Sequence, residues 1–356
     1  MFTKDKTNVC KGVGILLLLF HHMFTKRWLL NDLYLISNDP DTVELFAKGM
    51  RVCVWLFAFL SAYGLTLKYS KLSKDKRTWF IPRQWLSLMK PFWLIFPIEI
   101  LLKFIIKNNV HLIYQNNFWY FLYDFFAVAD ILKTPKLMGV FWYMSFALLV
   151  VLFIPLISKF CSFCGYASLP ITFIAIQLMR DGIVTFNGGS YLDYLFVVVC
   201  GVLIAQKDIF NRIATIKLHI LWRIVISILL AAASYGALWF RLTYLSKDPL
   251  HLGGVFSGAA AVMICLLFGV FITFKPLCFV LGFLGRYSGL MFLLHVIFIS
   301  MLPDVVCITP IASVDFLILL VESLAAAILI DLFRRLIRYD KWFEKLIGLC
   351  KRRAKR

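Results

Sequence analysis

No low-complexity linker, long repeat or extended polar segment interrupts this 356-residue chain. Their absence leaves no second, soluble domain, so whatever the protein does, it does in its apolar runs and the short loops between them. Acidic residues are scarce: 19 Asp and Glu stand against 38 Lys and Arg, a net charge of +19. Histidine is rarer still, with six in the chain. No small-residue cleavage site follows the first apolar run, so that run is expected to stay as a helix rather than leave as a signal peptide. Nine cysteines are scattered, at 10, 53, 161, 164, 200, 265, 278, 307 and 350. Most lie in or beside apolar runs, where Cys acts as a small hydrophobe. Cys161-Ser-Phe-Cys164 has no companion pair to complete a zinc site, and no metal is expected.

What the chain does have is apolar surface. Hydrophobic residues make up 62% of it and mean hydropathy is +0.85, where a soluble chain is nearer half apolar. The runs are continuous rather than alternating, which argues against an outer-membrane barrel and for helices that satisfy their own backbone in lipid. The expected fold is therefore an all-α polytopic membrane protein. Ten runs approach the roughly 20 residues a crossing needs: 12–28, 52–68, 85–105, 139–158, 164–180, 189–206, 220–241, 253–274, 281–302 and 311–333. An even number puts both termini on one side. If that side is cytoplasmic, the inner segments carry 26 Lys and Arg and the outer ones 11, leaving aside Arg286 near the inner end of the ninth run. That bias supports cytoplasmic termini in a multi-pass protein of the plasma (inner) membrane. It also accounts for the net charge without nucleic acid as a partner. The bundle is expected over 1–333, with a basic cytoplasmic tail at 334–356 whose "KRRAKR" suits anionic headgroups. Residues 107–138 include "NNFWYFLYDFF" with Asp124 and Asp130, and are expected at the outer interface as a re-entrant or surface-lying segment.

Ionisable residues inside a membrane are functional candidates. Here they are His21, His22, Glu99, Asp193, Arg286, His295 and Glu322. Lys11 and His22 are eleven residues apart, about 1100° of helical rotation, so they share one face about 16 Å apart along the axis. This sets a lysine at the cytoplasmic mouth and a histidine near mid-membrane on one groove, while His21 is turned about 100° away. The bland alternatives are a snorkelling lysine and histidines that only bridge helices by hydrogen bonds. His295 divides evenly between packing and function, as does Glu322, which could orient a histidine. Glu99 and Asp193 read as span-end residues and Arg286 as an inner flank. Arg83 and Lys90, seven residues apart in "IPRQWLSLMKPFW", put two cations at the start of the third run, where a phosphate-bearing ligand would suit them.

The ordered set of motifs resembles the membrane-bound acyltransferase family 3. Lys11, ten residues and His22 are similar to that family's Arg, ten residues, His. "VWLFAFLSAYGL" (54–65) resembles its second helix, and Arg83 to Trp93 its basic approach to the third. "FWYMSFALLVVLFIPL" (141–156), "LFVVVCGVLIAQKDIF" (195–210) and "LGRYSGLMFLLH" (284–295) follow in order, so the resemblance spans nearly the whole chain. It departs in Lys11 for Arg, in Leu86 where a second Arg is usual, and in Ala147 where many members carry Glu. The resemblance implies an integral membrane O-acyltransferase of the membrane-only form. It would move an acyl group, usually acetyl, from cytoplasmic acyl-CoA to a hydroxyl of a surface polysaccharide or lipid-linked saccharide. No bound cofactor is expected; acyl-CoA is a co-substrate. His22 is implied as catalytic, with Lys11, Arg83 and Lys90 on the donor phosphates and His21, His295, Glu322 and Arg286 in support. A histidine near neutral pKa suits removal of a hydroxyl proton, or transient carriage of the acyl group. Two other readings stay open: a proton-coupled transporter or flippase, and a non-catalytic scaffold of a polysaccharide-export complex.

Overall fold

The computed structural model describes residues 2–25, 39–107, 110–179, 185–186, 189–245 and 252–353. Lys26, Arg27, Arg180 and Lys247 of the charge count lie outside the described residues, as do 354–356 of the tail. The helices run in order: α1 (Lys4–Phe24), α2 (Pro40–Met50), α3 (Cys53–Ser70), α4 (Lys74–Arg77), α5 (Phe80–Lys107), α6 (Val110–Ile113), α7 (Phe118–Phe125), α8 (Trp142–Cys164), α9 (Ser168–Leu178), α10 (Leu195–Gln206), α11 (Ile209–Thr215), α12 (Ile220–Tyr244), α13 (Leu252–Leu266), α14 (Lys275–Met301), α15 (Pro303–Val306), α16 (Ala312–Leu336) and α17 (Tyr339–Arg353). Apart from short 3-10 turns and one π turn, the only other regular structure among the described residues is an antiparallel pair of two-residue strands at 185–186 and 189–190.

Among the described residues, seven helical stretches are long and apolar enough to cross a membrane. Three of the ten runs differ from expectation. The run at 164–180 continues α8 across Gly165, whose φ of +57° bends the chain into α9. Residues 189–206 yield a twelve-residue α10, about 18 Å long against a hydrocarbon core of about 30 Å. The run at 85–105 is a 28-residue helix, α5, interrupted by Pro91 and Pro97 and carrying Lys90, Glu99 and Lys103. α12 is the outermost: only 6% of its apolar window is buried, which suits a helix whose remaining faces lie against lipid.

The centre of the bundle is α1, held by α14, α3 and α2. Thr3 begins it, its hydroxyl accepting the Lys6 N–H at 3.4 Å, and Thr25 ends it, its hydroxyl donating to the His21 carbonyl at 2.6 Å. The helix thus starts eight residues before the expected span and stops before its end. His22 falls in its last turn rather than in its middle. α1 and α14 approach backbone to backbone. A Cβ on Gly12 would overlap the Leu281 carbonyl, and one on Gly285 would overlap the Asn8 carbonyl. Small residues at such a crossing let the two backbones meet without a side chain between them.

At the Lys4 end of α1 the π turn at 267–271 closes α13 with the Ile272 N–H on the Leu267 carbonyl at 2.8 Å. The carbonyls that this turn leaves over are taken by cations. Arg223 donates to Val270 and Phe271, and the Lys6 ammonium to Ile272 at 3.0 Å.

The segment 107–138 contains one eight-residue helix, α7, followed by turns, and both of its acids are buried. Asp124 accepts the Tyr114 hydroxyl at 2.8 Å and the Leu137 N–H at 2.6 Å. Burial pushes its carboxyl up to about 6, with those hydrogen bonds and the charges of Lys136 and Lys103 opposing. Asp130 binds Lys136 and the Tyr191 hydroxyl. Phe118 and Trp119 stay more than half exposed, as befits a surface-lying aromatic cap.

Gly285→Ala is expected to lower the thermal stability of the purified protein by about 1–3 kcal/mol through overpacking against the Asn8 carbonyl. Gly289→Ala, on the same helix with open space at its Cα, is the control and should stay within about 0.5 kcal/mol. Thermal unfolding in detergent measures both.

Candidate functional site: a histidine cluster at one end of α1 and cations at the other

The tight α1–α14 crossing places His22 against His295, with ring centroids 5.0 Å apart and planes tilted by 45°. His21 lies edge-on to His22 at 5.0 Å. The two neighbours on α1 therefore face different helices. His21 turns to α2, where its Nδ1 meets the Ala47 carbonyl at 2.8 Å. His295 is fully buried, and its Nδ1 meets the Phe292 carbonyl at 2.8 Å. A carbonyl only accepts, so in both rings Nδ1 carries the hydrogen, and the neutral ring keeps Nε2 as an acceptor.

A cavity of about 490 Å³ opens beside this cluster, a size common for small-molecule sites. It is lined by His21, His22, Lys48, Arg51, Trp142 and Arg241, with Thr25, Val54 and Leu242 completing the wall. None of these lining residues is acidic. The cations come from three places: Lys48 in the last turn of α2, Arg51 just after it, and Arg241 in the last turn of α12. Trp55 on α3 holds two of them. The Arg241 guanidinium lies 4.8 Å and that of Arg51 6.0 Å from its ring. Its indole N–H donates to the Asp193 carbonyl at 3.1 Å, and its ring packs on Tyr194 at 4.7 Å.

The opposite end of α1 is also cationic. Lys11 is half-buried and makes no hydrogen bond or ion pair among the described residues; the charges nearest it are Lys68 and Lys4. Lys68 in turn feels Arg83 and Lys4, and its ammonium donates to the Gln84 side chain at 3.3 Å. Lys11 and Arg83 are thus joined through Lys68, a residue that sequence reasoning passed over as one more positive flank. Lys90 is elsewhere: its ammonium binds Asp340 on α17 at 2.7 Å, and its backbone carbonyl accepts the Tyr339 hydroxyl. Lys90 latches the tail helix to α5.

The remaining sequence candidates are spread apart. Arg286 is exposed on α14, and Glu322 is half-buried on α16 with one carboxylate oxygen unpartnered among the described residues. Glu99, taken for a span-end residue, is fully buried with neither carboxylate oxygen hydrogen-bonded among the described residues. The chain matches no known family model, no curated protein and no solved structure.

A half-buried ammonium among like charges is a stability cost that a function would have to justify. Lys11→Met is expected to raise thermal stability, by about 1 kcal/mol, with the gain shrinking as salt screens the cluster. Unfolding midpoints in low and high salt check this. A loss of stability would mean that Lys11 is a structural residue.

Proposed function

We propose that this chain is an integral membrane acyltransferase that moves an acyl group, in the first instance acetyl, from cytoplasmic acyl-CoA to a hydroxyl of a cell-surface glycan or lipid-linked saccharide. The observation that carries the reading is the two-ended character of α1. One helix carries Lys11, beside Lys68 of α3 and Arg83 of α5, in its first half, and on the same face His22 at an open cavity in its last turn. The motif resemblance from Lys11 to His295 points the same way. In this reading the chain crosses the plasma membrane ten times, with α5 and α10 among the crossings and both termini cytoplasmic. The Lys11 end faces the cytoplasm and the cavity faces outward.

Lys11, Lys68 and Arg83 would hold the phosphates of the donor, as point charges and one forked guanidinium. The rise between Lys11 and His22, about 16 Å, leaves the extended pantetheine arm to carry the thioester along the groove. His22 would take the proton of the acceptor hydroxyl as the oxygen attacks the thioester carbonyl. The carbon–sulfur bond breaks, the new ester forms, and the proton passes from His22 to the CoA thiolate, restoring the neutral ring. His295 behind His22 would fix the plane of that ring, and His21, tied to Ala47, would form the cavity wall.

The test is acetylation of cell-surface glycan in a deletion strain carrying wild type, His22→Ala, His21→Ala or Lys11→Met. His22→Ala is expected to lose transfer by a factor of about 10² or more while still inserting in the membrane, and Lys11→Met to lose it through a higher KM for acetyl-CoA. His21→Ala should retain a measurable rate. Full transfer with His22→Ala would end the assignment. The contiguous rings of His21, His22 and His295 also suit a proton relay. Solute uptake by proteoliposomes in the absence of acyl-CoA would put the transporter reading first.

A further inference from the structure

Glu99 is a buried acid for which acyl transfer has no use. It sits on α5 with none of its surface exposed, and neither carboxylate oxygen has a hydrogen-bond donor among the described residues. A carboxylate without a donor is among the costliest groups to bury, whereas a protonated carboxyl carries no charge. The arrangement in the structure therefore fits Glu99 with a proton on it.

A ring of hydrogen bonds lies beside Glu99 and leaves it out. Asp124, near the end of α7, accepts the Tyr114 hydroxyl at 2.8 Å and the Leu137 N–H at 2.6 Å, both on Oδ2. Lys103, one turn beyond Glu99 on α5, donates to the Leu137 carbonyl. Both backbone groups of Leu137 are thus held. The charge of Glu99 reaches Tyr114, and the charges of Lys103 and Asp124 reach Glu99. Among the described residues, α4, α8, α14 and α17 also pack on α5 but supply none of the charges that reach it. Lys136 faces Asp124. Pro97, two residues before Glu99, cannot donate to the Trp93 carbonyl, so α5 is able to bend at this level.

Tyr114 has one hydroxyl proton for two carboxylates and serves one at a time. An ionised Glu99 competes for that hydroxyl and draws on Lys103, its neighbour four residues along the helix. Either move loosens Leu137. From Leu137 the chain leads through the turn at 139–141 into α8, whose first residue, Trp142, lines the cavity beside His22.

We propose that Glu99 is a proton-binding site that works a clamp. Protonated, it leaves Asp124 and Lys103 on Leu137, and the 107–138 segment is held closed against the start of α8. Ionised, it draws Tyr114 or Lys103 to itself and the clamp opens. The proton is taken from water and returned to it. The clamp stands apart from acyl transfer, and none of His22, Lys11 or the cavity arginines takes part in it.

The purified full-length protein in detergent, with isotope-labelled glutamate carboxyls, gives the test. Difference infrared spectra between about pH 5 and pH 9 report carboxyl protonation, and the label separates Glu from Asp. A protonated-glutamate band is expected at the lower pH and lost at the higher. It should vanish in Glu99→Gln and persist in Glu322→Gln. Hydrogen exchange over 130–142, corrected for intrinsic rates, reads the clamp. Protection at Leu137 should fall about tenfold as the band is lost, the worth of one hydrogen bond to a charged group. Asp124, which burial pushes up to about 6, acts with the opposite sign. Its carboxylate accepts the Leu137 N–H better than its acid does, so its own ionisation raises protection. Glu99→Gln should therefore lose the fall and keep any rise. His111→Gln, which removes the titratable side chain of α6, should behave as wild type. Low-pH protection equal to wild type shows that Glu99→Gln is folded. Should that variant not fold, the wild type still decides, because band and protection must change at the same pH. No protonated-glutamate band, a band unchanged by Glu99→Gln, or protection that does not fall with the band would overturn the clamp.

Discussion

Everything of chemical interest in this bundle depends on the close crossing of α1 and α14. Gly12 and Gly285 remove the side chains that would hold the two backbones apart, and Leu281 and Asn8 carbonyls fill the space. In lipid, apolar side chains gain little by leaving the membrane for one another, so shape and close contact must hold helices together. The crossing also sets rotation and register. Gly285 meets the backbone at both Asn8 and Gly12, and His22 and His295 each lie ten residues beyond the Gly12–Gly285 contact on their helices.

Cations at the two ends of α1 are handled differently, and their partners show how. Lys6 and Arg223 serve the carbonyls that the π turn leaves over, and Lys90 serves Asp340. Their charge is used within the protein. Lys11, Lys68 and Arg83 have no acidic neighbour among the charges that reach Lys11 and Lys68. At the other end Lys48 is used by Glu44, while Arg51 and Arg241 are stacked on Trp55 and face a cavity. A positive-inside count treats all of these alike; the structure sorts them by partner.

The aromatic segment at 107–138 shows the same division on a smaller scale. Its composition places it at an interface, where Trp and Tyr are at home. Its fold depends on Asp124 and Asp130, which turn inward to bind Tyr114, Leu137, Lys136 and Tyr191. Those ties fold the segment on itself and onto Tyr191, while Trp93 of α5 donates to the Phe125 carbonyl and Ser145 of α8 to that of Ala127.

The sequence alone determined the class of protein, since continuous apolar runs admit only helices in a bilayer, and it determined that Lys11 and His22 share a face, since both lie on one helix and the helical repeat is fixed. It also singled out the two histidines as residues with something to explain. Only the tertiary structure decided that His295 joins them, that Lys68 links Lys11 to Arg83, that Lys90 is spent on the tail, and that Arg51 and Arg241 meet on Trp55. Apart from Arg51 and Trp55, which are four residues apart, these partners are 15 to 274 residues apart in the chain, and no local pattern joins them. The physical reason is the solvent. A helix in water reveals its inward face by where its polar residues are not, but α3, α10 and α14 are apolar nearly all round, because lipid asks for apolar surface as much as the core does. With no polar face to orient them, rotation is set by where backbones can touch, and that is decided by a few glycines whose contacts exist only in the folded bundle.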